Sequence, residues 1–278
     1  MEKEDKRLAV NQDKKKRVLE KVEPNRFSRI DRIYGVISGK GGVGKSIITA
    51  LLASAIQKRG YRTGIIDADI TGPSIPRMFG ITDRATGSDE GWNPVPSRHG
   101  IGVMSINTML DHATDPVLWR GPLLSNVSKR FFTDVIWKDI DHLFIDFPPG
   151  TGDIAITLFQ TLRIDGIIIC TSPQDLVQMI VEKAINMANR MNVPIIGLIE
   201  NMAYFECPTC RQRYDIFGES RVQETADRLG IELLARLPLD PRLARACDEG
   251  TIDEVDYAPL DQAIEKLLGF PKPAPSKT

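Results

Sequence analysis

The sequence predicts an α/β fold in which helices flank a mainly parallel central sheet on both faces. Along the 278 residues, short apolar runs rich in β-branched side chains, typical of buried strands, alternate with segments of helical apolar spacing. A glycine-rich stretch joins the first strand to the first helix, at the edge where such sheets bind ligands. The predicted strands cover residues 33–37, 63–66, 101–106, 142–147, 166–171, 195–200 and 232–235.

The glycine-rich stretch, Gly39 to Ser46, reads GKGGVGKS and fits the phosphate-binding pattern G-x-x-x-x-G-K-[ST]. Its backbone N–H groups can face phosphate oxygens, Lys45 can reach the β- and γ-phosphates, and the Ser46 hydroxyl can bind Mg²⁺. A buried strand at 33–37 precedes it, and a helix predicted over 47–59 follows it. The order strand, loop, helix therefore predicts a three-layer P-loop NTPase fold that binds ATP or a similar nucleotide.

Acidic residues follow two of the other predicted strands. Asp67 and Asp69 end the second strand, where one carboxylate can face Mg²⁺ or its waters and the other an attacking water. The alternative is a pair of solvated acids in a turn. Asp146 ends the apolar run 143–146 and is predicted to hold Mg²⁺ through water, as a Walker B residue does. Asp153 is expected to be the N-cap of the next helix.

A second lysine, Lys40, directly follows the first glycine of the octet. Because Lys45 already fills the usual phosphate role, Lys40 either points to solvent or serves the nucleotide of a neighbouring subunit, like an arginine finger. The second alternative implies a homodimer with nucleotide at its interface.

The cysteines Cys207 and Cys210 form a CPTC motif after the predicted strand 195–200. Two thiolates are half of the ligand set that Zn²⁺ or an iron–sulfur centre generally needs, and a symmetric dimer would complete it. The spacing does not separate zinc from iron–sulfur, and a thioredoxin-like redox pair is the remaining alternative. Cys170 and Cys247 are predicted to be packed cysteines without a role in binding.

Composition limits the other classes of function. The net charge of −1 predicts no binding of nucleic acid, and no apolar run is long enough to cross a membrane, so we expect a cytoplasmic protein. We expect a charged N-terminal extension over 1–31, one ATPase domain over 32–268 and a proline-rich tail over 269–278. The segment 82–100 has no periodicity and is predicted to be a surface loop.

Taken together, GKGGVGKS, DADITGPSIPRMFG, VLWRGPL, IDFPPGTGD and ENMAYFECPTC resemble the Mrp/ApbC-like carrier ATPases of iron–sulfur cluster assembly, within the deviant Walker A class of MinD and ParA. The resemblance covers about residues 32–268. It implies a homodimer that binds a [4Fe–4S] cluster between two CPxC motifs, hydrolyses ATP slowly and passes the cluster to apoproteins. Cluster-assembly proteins are further candidate partners.

The resemblance also assigns residues. It implies catalytic roles for Lys40, Lys45 and Asp69, Mg²⁺ binding by Ser46 and Asp146, and cluster binding by Cys207 and Cys210. The implied nucleotide contacts are Gly39, Lys40, Gly41, Gly42, Val43, Gly44, Lys45, Ser46, Ile47, Asn201, Pro238 and Leu239, the last three at the adenine.

Two other functions stay open at this point. One is a MinD- or ParA-like positioning ATPase in which CPTC holds structural zinc. The other is an ATP-driven electron donor similar to the nitrogenase iron protein, which the sequence disfavours because that family has two widely separated cysteines per chain in place of a CPxC. The chain also departs from the carrier family, because residues 219–222 read ESRV where the family has a glycine-rich stretch. No extra N-terminal cysteines are present, so a second cluster is not expected.

Overall fold

The computed structural model describes residues 21–70, 72–110, 122–173 and 177–271. Most of the predicted extension, most of the tail and most of the VLWRGPL motif lie outside these residues. The described strands are β1 (Arg29–Ser38), β2 (Thr63–Asp67), β3 (Thr86–Ser88), β4 (Gly91–Asn93), β5 (Val95–Pro96), β6 (Gly102–Met104), β7 (Asp139–Asp146), β8 (Gly166–Thr171), β9 (Ile195–Glu206), β10 (Arg213–Tyr214) and β11 (Leu233–Pro238).

Within the described residues, the main sheet has nine strands and is mostly parallel. Its order is β10-β9-β8-β1-β7-β2-β6-β5, and β11 pairs in parallel with β9. The short strands β5 and β10 are antiparallel to β6 and β9. Strand β1 is therefore central, with β7 on one side and β8 on the other. Because the long strands run in one direction, their carboxyl ends meet at one edge of the sheet.

Helices cover both faces of this sheet. The described helices are α1 (Lys45–Lys58), α2 (Ile75–Met78), α3 (Pro122–Thr133), α4 (Asp153–Thr161), α5 (Val177–Arg190), α6 (Val222–Leu229), α7 (Pro241–Glu249) and α8 (Asp261–Gly269). Apolar side chains of α3, α4, α5 and α6 pack in one core, and those of α1, α2, α7 and α8 pack in the other. Alternate residues of β1 face the two cores, Ile33 and Ile37 one of them and Tyr34 and Val36 the other. The predicted three-layer α/β class is confirmed.

The prediction of a loop over 82–100 is wrong in part. Strands β3 and β4 form a hairpin there, and β5 extends the main sheet. These strands have two or three residues each, and β3 and β4 bury no residue fully. They therefore lack the apolar alternation by which a sequence reveals a strand.

Several other boundaries also differ from expectation, and two of these differences bear on the candidate site. The N-cap of α4 is Gly152, in an extended conformation, and Asp153 is the first helical residue, where its charge favours the helix dipole. Strand β9 continues to Glu206, six residues beyond the predicted end, because its second half pairs with β11 and β10. The cysteine pair consequently begins directly at the end of a strand.

Candidate functional site

The P-loop connects the end of β1 at Ser38 to the start of α1 at Lys45. Two of its glycines, Gly42 and Gly44, have φ of 80°, in the left-handed region that favours glycine. Gly44 is also the N-cap of α1, so the loop feeds directly into a helix N-terminus. Unpaired N–H groups at such a terminus attract anions, and phosphate is the anion that this arrangement fits.

Four side chains meet behind the loop, around Asp146 at the end of β7. The Lys45 ammonium lies 2.7 Å from Asp146 Oδ1, and the Ser46 hydroxyl donates to Asp146 Oδ2 at 2.6 Å. The Thr49 hydroxyl, one turn along α1, lies 2.9 Å from Oδ1. Asp146 is completely buried and Lys45 is 6% exposed, so each charge depends on its partner for stabilisation.

A second buried carboxylate, Asp67, lies beside Asp146. The two residues are register partners on β2 and β7. The Ser105 hydroxyl donates to Asp67 Oδ2 at 3.1 Å, and the Ile75 N–H lies 3.3 Å from the same atom. Burial, together with the charge of Asp146, raises the pKa of Asp67 far above its ordinary value. The environment of Asp67 thus favours its protonated form.

In front of the loop lies a cavity of about 250 Å³. Lys40 and Asp69 both line it, so the structure brings together three of the predicted catalytic residues, with Lys45 as the third. The full lining is Ser38, Lys40, Gly41, Gly42, Val43, Gly44, Lys45, Ser46, Ile47, Asp69, Gly72, Ser74, Met78 and Pro149.

The three residues expected at the adenine lie at the same edge of the sheet but outside this lining. Asn201 is buried in β9, and its Nδ2 donates to the carbonyl of Val43 in the P-loop at 3.0 Å. Pro238 ends β11, and the N–H of Leu239 donates to the carbonyl of Tyr204 in β9 at 2.7 Å. Their role at the base stays a prediction.

The residues present fit a magnesium nucleotide. A hydroxyl and a carboxylate are the oxygen ligands that Mg²⁺ prefers, and Ser46 and Asp146 place one of each side by side. A Cβ on Gly42 would meet no atom within 4 Å, so the loop is open where a phosphate would approach. Ser46 and Asp146 would hold the ion, which would polarise the phosphates, and Lys45 and the loop N–H groups would hold the phosphate oxygens.

The cysteine pair occupies the tip of a hairpin formed by β9 and β10. The Cys207 N–H donates to the carbonyl of Gln212 at 2.9 Å, and the Arg211 N–H donates to the carbonyl of Cys207 at 2.9 Å. Cys210 is exposed and Cys207 is partly exposed. Both thiols can therefore meet a ligand or partner from solvent.

The turn also shifts the protonation equilibrium of Cys207 toward the thiolate. Backbone N–H groups of Cys210 and Thr209 donate to its sulfur and lower the pKa of the Cys207 thiol. Among the described residues, no group of three or more His, Cys, Asp or Glu side chains is placed to bind a metal ion. The pair Cys207 and Cys210 therefore offers two thiols, and its role in metal binding stays a prediction. The buried Cys170 differs, because burial raises the pKa of its thiol.

Several residues of this region were not predicted from the sequence. Thr49 contacts Asp146 across the strand–helix boundary, and Glu200, fully buried in β9, accepts hydrogen bonds from Ser220 and Arg236. A polar residue on the buried face of α1 and a glutamate at the end of an apolar run were the available signals. Neither indicates a partner, because the partners come from distant parts of the chain. No helix in the described part of the chain is long and apolar enough to cross a membrane.

Comparisons with known proteins give matches over most of the chain. The family model described as ParA, NUBPL iron-transfer P-loop NTPase, matches residues 29–269. An iron-sulfur cluster carrier protein of Clostridium perfringens is 43% identical over 236 residues, which cover 82% of this chain and 83% of the relative. A nucleotide-binding protein of Archaeoglobus fulgidus, solved in complex with ADP, is 41% identical with a TM-score of 0.76, and the match covers 84% of this chain and 91% of that one.

A more distant structure shares the fold alone. The cell division ATPase MinD of Pyrococcus furiosus is 19% identical with a TM-score of 0.60, over 85% of this chain and 98% of its own. At this identity the likeness extends to the arrangement of the sheet and helices.

Proposed function

Because this chain belongs to the NUBPL iron-transfer P-loop NTPase family, we propose that it is a cytoplasmic iron–sulfur cluster carrier that binds and slowly hydrolyses ATP. In this proposal a homodimer holds one [4Fe–4S] cluster between two CPTC turns and passes it to apo iron–sulfur proteins, with or without cluster-assembly proteins. The cluster is cargo, and the ATPase domain over residues 32–268 controls its binding or release.

The observation that carries the proposal is the exposed half-site at Cys207 and Cys210 on the same sheet as a P-loop. The two thiols lie at a hairpin tip, where a second copy can approach without rearranging the core. Four thiolates are the usual set for a [4Fe–4S] cluster, and a two-fold axis supplies four from two identical pairs. The similarity to the iron-sulfur cluster carrier protein of Clostridium perfringens supports an iron–sulfur cargo.

The nucleotide chemistry follows from the P-loop cluster. Lys45 and the loop N–H groups would neutralise the phosphates, while Ser46 and Asp146 would hold Mg²⁺. Asp69, in the cavity, would orient the attacking water. Lys40 would act across the dimer on the nucleotide of the partner subunit, where a second cation stabilises charge that develops during phosphoryl transfer.

Anaerobic reconstitution tests the cargo. With iron and sulfide, the purified protein should take up about one cluster per dimer, with the EPR or Mössbauer signature of a [4Fe–4S] centre. The double variant Cys207→Ala, Cys210→Ala should take up none, whereas Cys247→Ala, a half-buried cysteine on α7, should load normally. Transfer to an apo-enzyme is then measured with and without ATP. Stoichiometric zinc without iron, or a cluster that survives the double substitution, would contradict the proposal.

A lysine variant tests the dimer. Lys40→Ala should keep its affinity for ADP, because Lys45 remains, and lose ATP turnover on the order of a hundredfold through loss of a trans charge. Lys266→Ala is the matched control, since Lys266 pairs with Glu232 before the start of β11, at the opposite edge of the sheet. Unchanged turnover in Lys40→Ala would remove the argument for catalysis across the interface.

A further inference from the structure

One strand, β9, connects the two parts of the candidate site. Midway along it, Asn201 donates from Nδ2 to the carbonyl of Val43 in the P-loop at 3.0 Å. At its end, Glu206 leads directly into Cys207. Strand β9 pairs with β8 up to Glu200, with β11 at Tyr204, and with β10 at its last two residues. Backbone pairing therefore links the neighbourhood of Asn201 to the hairpin tip, and a displacement at Asn201 can be transmitted along it.

The contact between Asn201 and the P-loop is tight. A Cβ built on Gly44 would lie 2.2 Å from Asn201 Nδ2 and 3.9 Å from the Cε of Met202. Asn201 is 6% exposed, and its Oδ1 accepts from the N–H of Met202. The side chain therefore has no free space on the P-loop side, and the loop cannot move toward β9 without moving Asn201.

A second set of hydrogen bonds, to Glu200, holds the chain segment that follows the hairpin. The Ser220 hydroxyl donates to Oε1 of the buried Glu200, and Arg236 Nε donates to its Oε2 at 2.9 Å. Ser220 also accepts from the N–H of Val222 at 3.2 Å, where the chain enters α6. Glu200 and Asn201 are adjacent, so both chain segments that bound the cysteine hairpin are held at one point of β9.

The backbone between these hydrogen bonds and the cysteines departs from regular extended geometry. Met202 has φ of 55°, an unusual value for a residue other than glycine, and it marks the place where β9 leaves β8. Beyond it, the carbonyl of Tyr204 accepts from the N–H of Leu239. Residues held in such a conformation cluster at functional sites. Met202 is therefore a position at which a small displacement of β9 can change the direction of the chain toward the cysteines.

We propose that Asn201 and Glu200 are positioning residues that couple nucleotide occupancy of the P-loop to the geometry of the Cys207–Cys210 turn. This inference rests on the proposed nucleotide and metal-binding roles of the two regions. A bound nucleotide fixes the backbone of the P-loop and with it the carbonyl of Val43. Because Asn201 donates to this carbonyl, its position is fixed as well, together with the strand that carries Cys207. An amide nitrogen carries two hydrogens, so Asn201 can hold Val43 and a base together.

Thiol reactivity measures the link without a cluster. The reduced, metal-free full-length chain is treated with iodoacetamide with and without saturating Mg-ADP, and alkylation of each cysteine is followed by peptide mass spectrometry. Because nucleotide stiffens the base of the hairpin, Mg-ADP should slow alkylation of Cys207 and Cys210 about threefold. Cys247, on α7, is the internal reference and should not change.

Variants locate the link. Asn201→Ala should need a higher concentration of Mg-ADP for saturation, because it loses a predicted base contact, whereas Ser220→Ala should not. Once saturated, both variants should lose most of the threefold effect. Ser28→Ala is the matched control. The Ser28 hydroxyl also joins two segments, because it donates to the carbonyl of Val135 and accepts from the N–H of Trp137, and it lies away from β9. This control should keep the full effect.

Binding of Mg-ADP, measured by calorimetry, separates the two failures. If the unaltered chain does not bind Mg-ADP, the proposed function and the link are both overturned. If it binds but the cysteines react equally fast, or if Asn201→Ala and Ser220→Ala both retain the full effect, the link alone is overturned.

Discussion

At the scale of single residues, Gly44 occupies a position that has no room for a side chain. Its φ is 80°, and a Cβ there would lie 2.2 Å from Asn201 Nδ2. Gly44→Ala should therefore lower the free energy of unfolding by about 2 kcal/mol or more and weaken ADP binding. Urea denaturation and calorimetry measure the two effects.

Gly42→Ala is the control, because Gly42 has the same φ but a Cβ there meets nothing within 4 Å. It should cost about 1 kcal/mol from backbone strain alone. Equal losses in the two variants would show that the contact with Asn201 has no effect.

Thr49 extends the P-loop cluster by one turn of α1. Its hydroxyl lies 2.9 Å from Asp146 Oδ1 and 3.0 Å from the carbonyl of Lys45. Thr49→Val keeps the shape but removes a donor from a buried carboxylate, which should cost about 1–3 kcal/mol of stability. ATP turnover should fall as well, since Asp146 would lose part of its support.

Ser54→Ala is the comparison for Thr49→Val. Ser54 is also buried on α1, and its hydroxyl donates to the carbonyl of Ala50 within the helix. Turnover should be unchanged in this variant. A Thr49→Val protein with normal turnover would place Thr49 outside the chemistry.

At the scale of elements, helix α7 begins at a cap that also fixes the segment expected at the adenine. The Asp240 side chain accepts from the Arg242 N–H at 2.9 Å, and Pro241 is the first helical residue. Asp240→Ala should cost about 1 kcal/mol by loss of the cap, and Asp240→Asn much less.

Because Leu239 precedes the cap directly, Asp240→Ala should also lower the affinity for ADP, measured by calorimetry alongside thermal unfolding. An affinity equal to that of the unaltered chain would argue against a role of Pro238 and Leu239 at the base.

The elements differ in how far the sequence predicts them. Strands β1, β7 and β8 are buried on both faces, so their apolar runs reveal them directly. Strands β3 and β4 are exposed and hold together through backbone pairing and local turns, which leave no pattern in the sequence. The end of β9 was missed because it is stabilised by β10 and β11 rather than by its own apolar content.

The candidate site divides in the same way. The P-loop and the CPTC turn are each formed by one continuous stretch of sequence. Short motifs of this kind determine their own local geometry. Contacts such as Thr49 with Asp146, 97 residues apart, depend on the register between a helix and a strand from a different part of the chain. A single sequence does not fix that register.

At the scale of the whole molecule, the two edges of the sheet have different chemistry, and β7 spans both. Asp146 ends the strand at the edge of the P-loop. His142, near its beginning, is 6% exposed, with its ring 5.8 Å from that of Tyr34 and 5.2 Å from that of Tyr61. Burial, opposed in part by the charge of Asp141, lowers the pKa of His142 to about 4.

This lowered pKa makes the free energy of unfolding depend on pH through a residue at the edge of the sheet opposite the nucleotide. The folded state keeps His142 neutral, whereas an unfolded histidine gains a proton below about pH 6.5. The stability is therefore complete above pH 6.5 and is lost as the pH falls toward 4, by about 2 kcal/mol between pH 8 and 5. His142→Phe keeps a neutral ring and should remove this slope, so urea denaturation from pH 8 to 5 should show the two proteins diverging.

Because Asp146 lies at the other end of β7, ADP affinity at pH 8 should be the same in both. Parallel stability curves would mean that His142 is protonated in the folded protein.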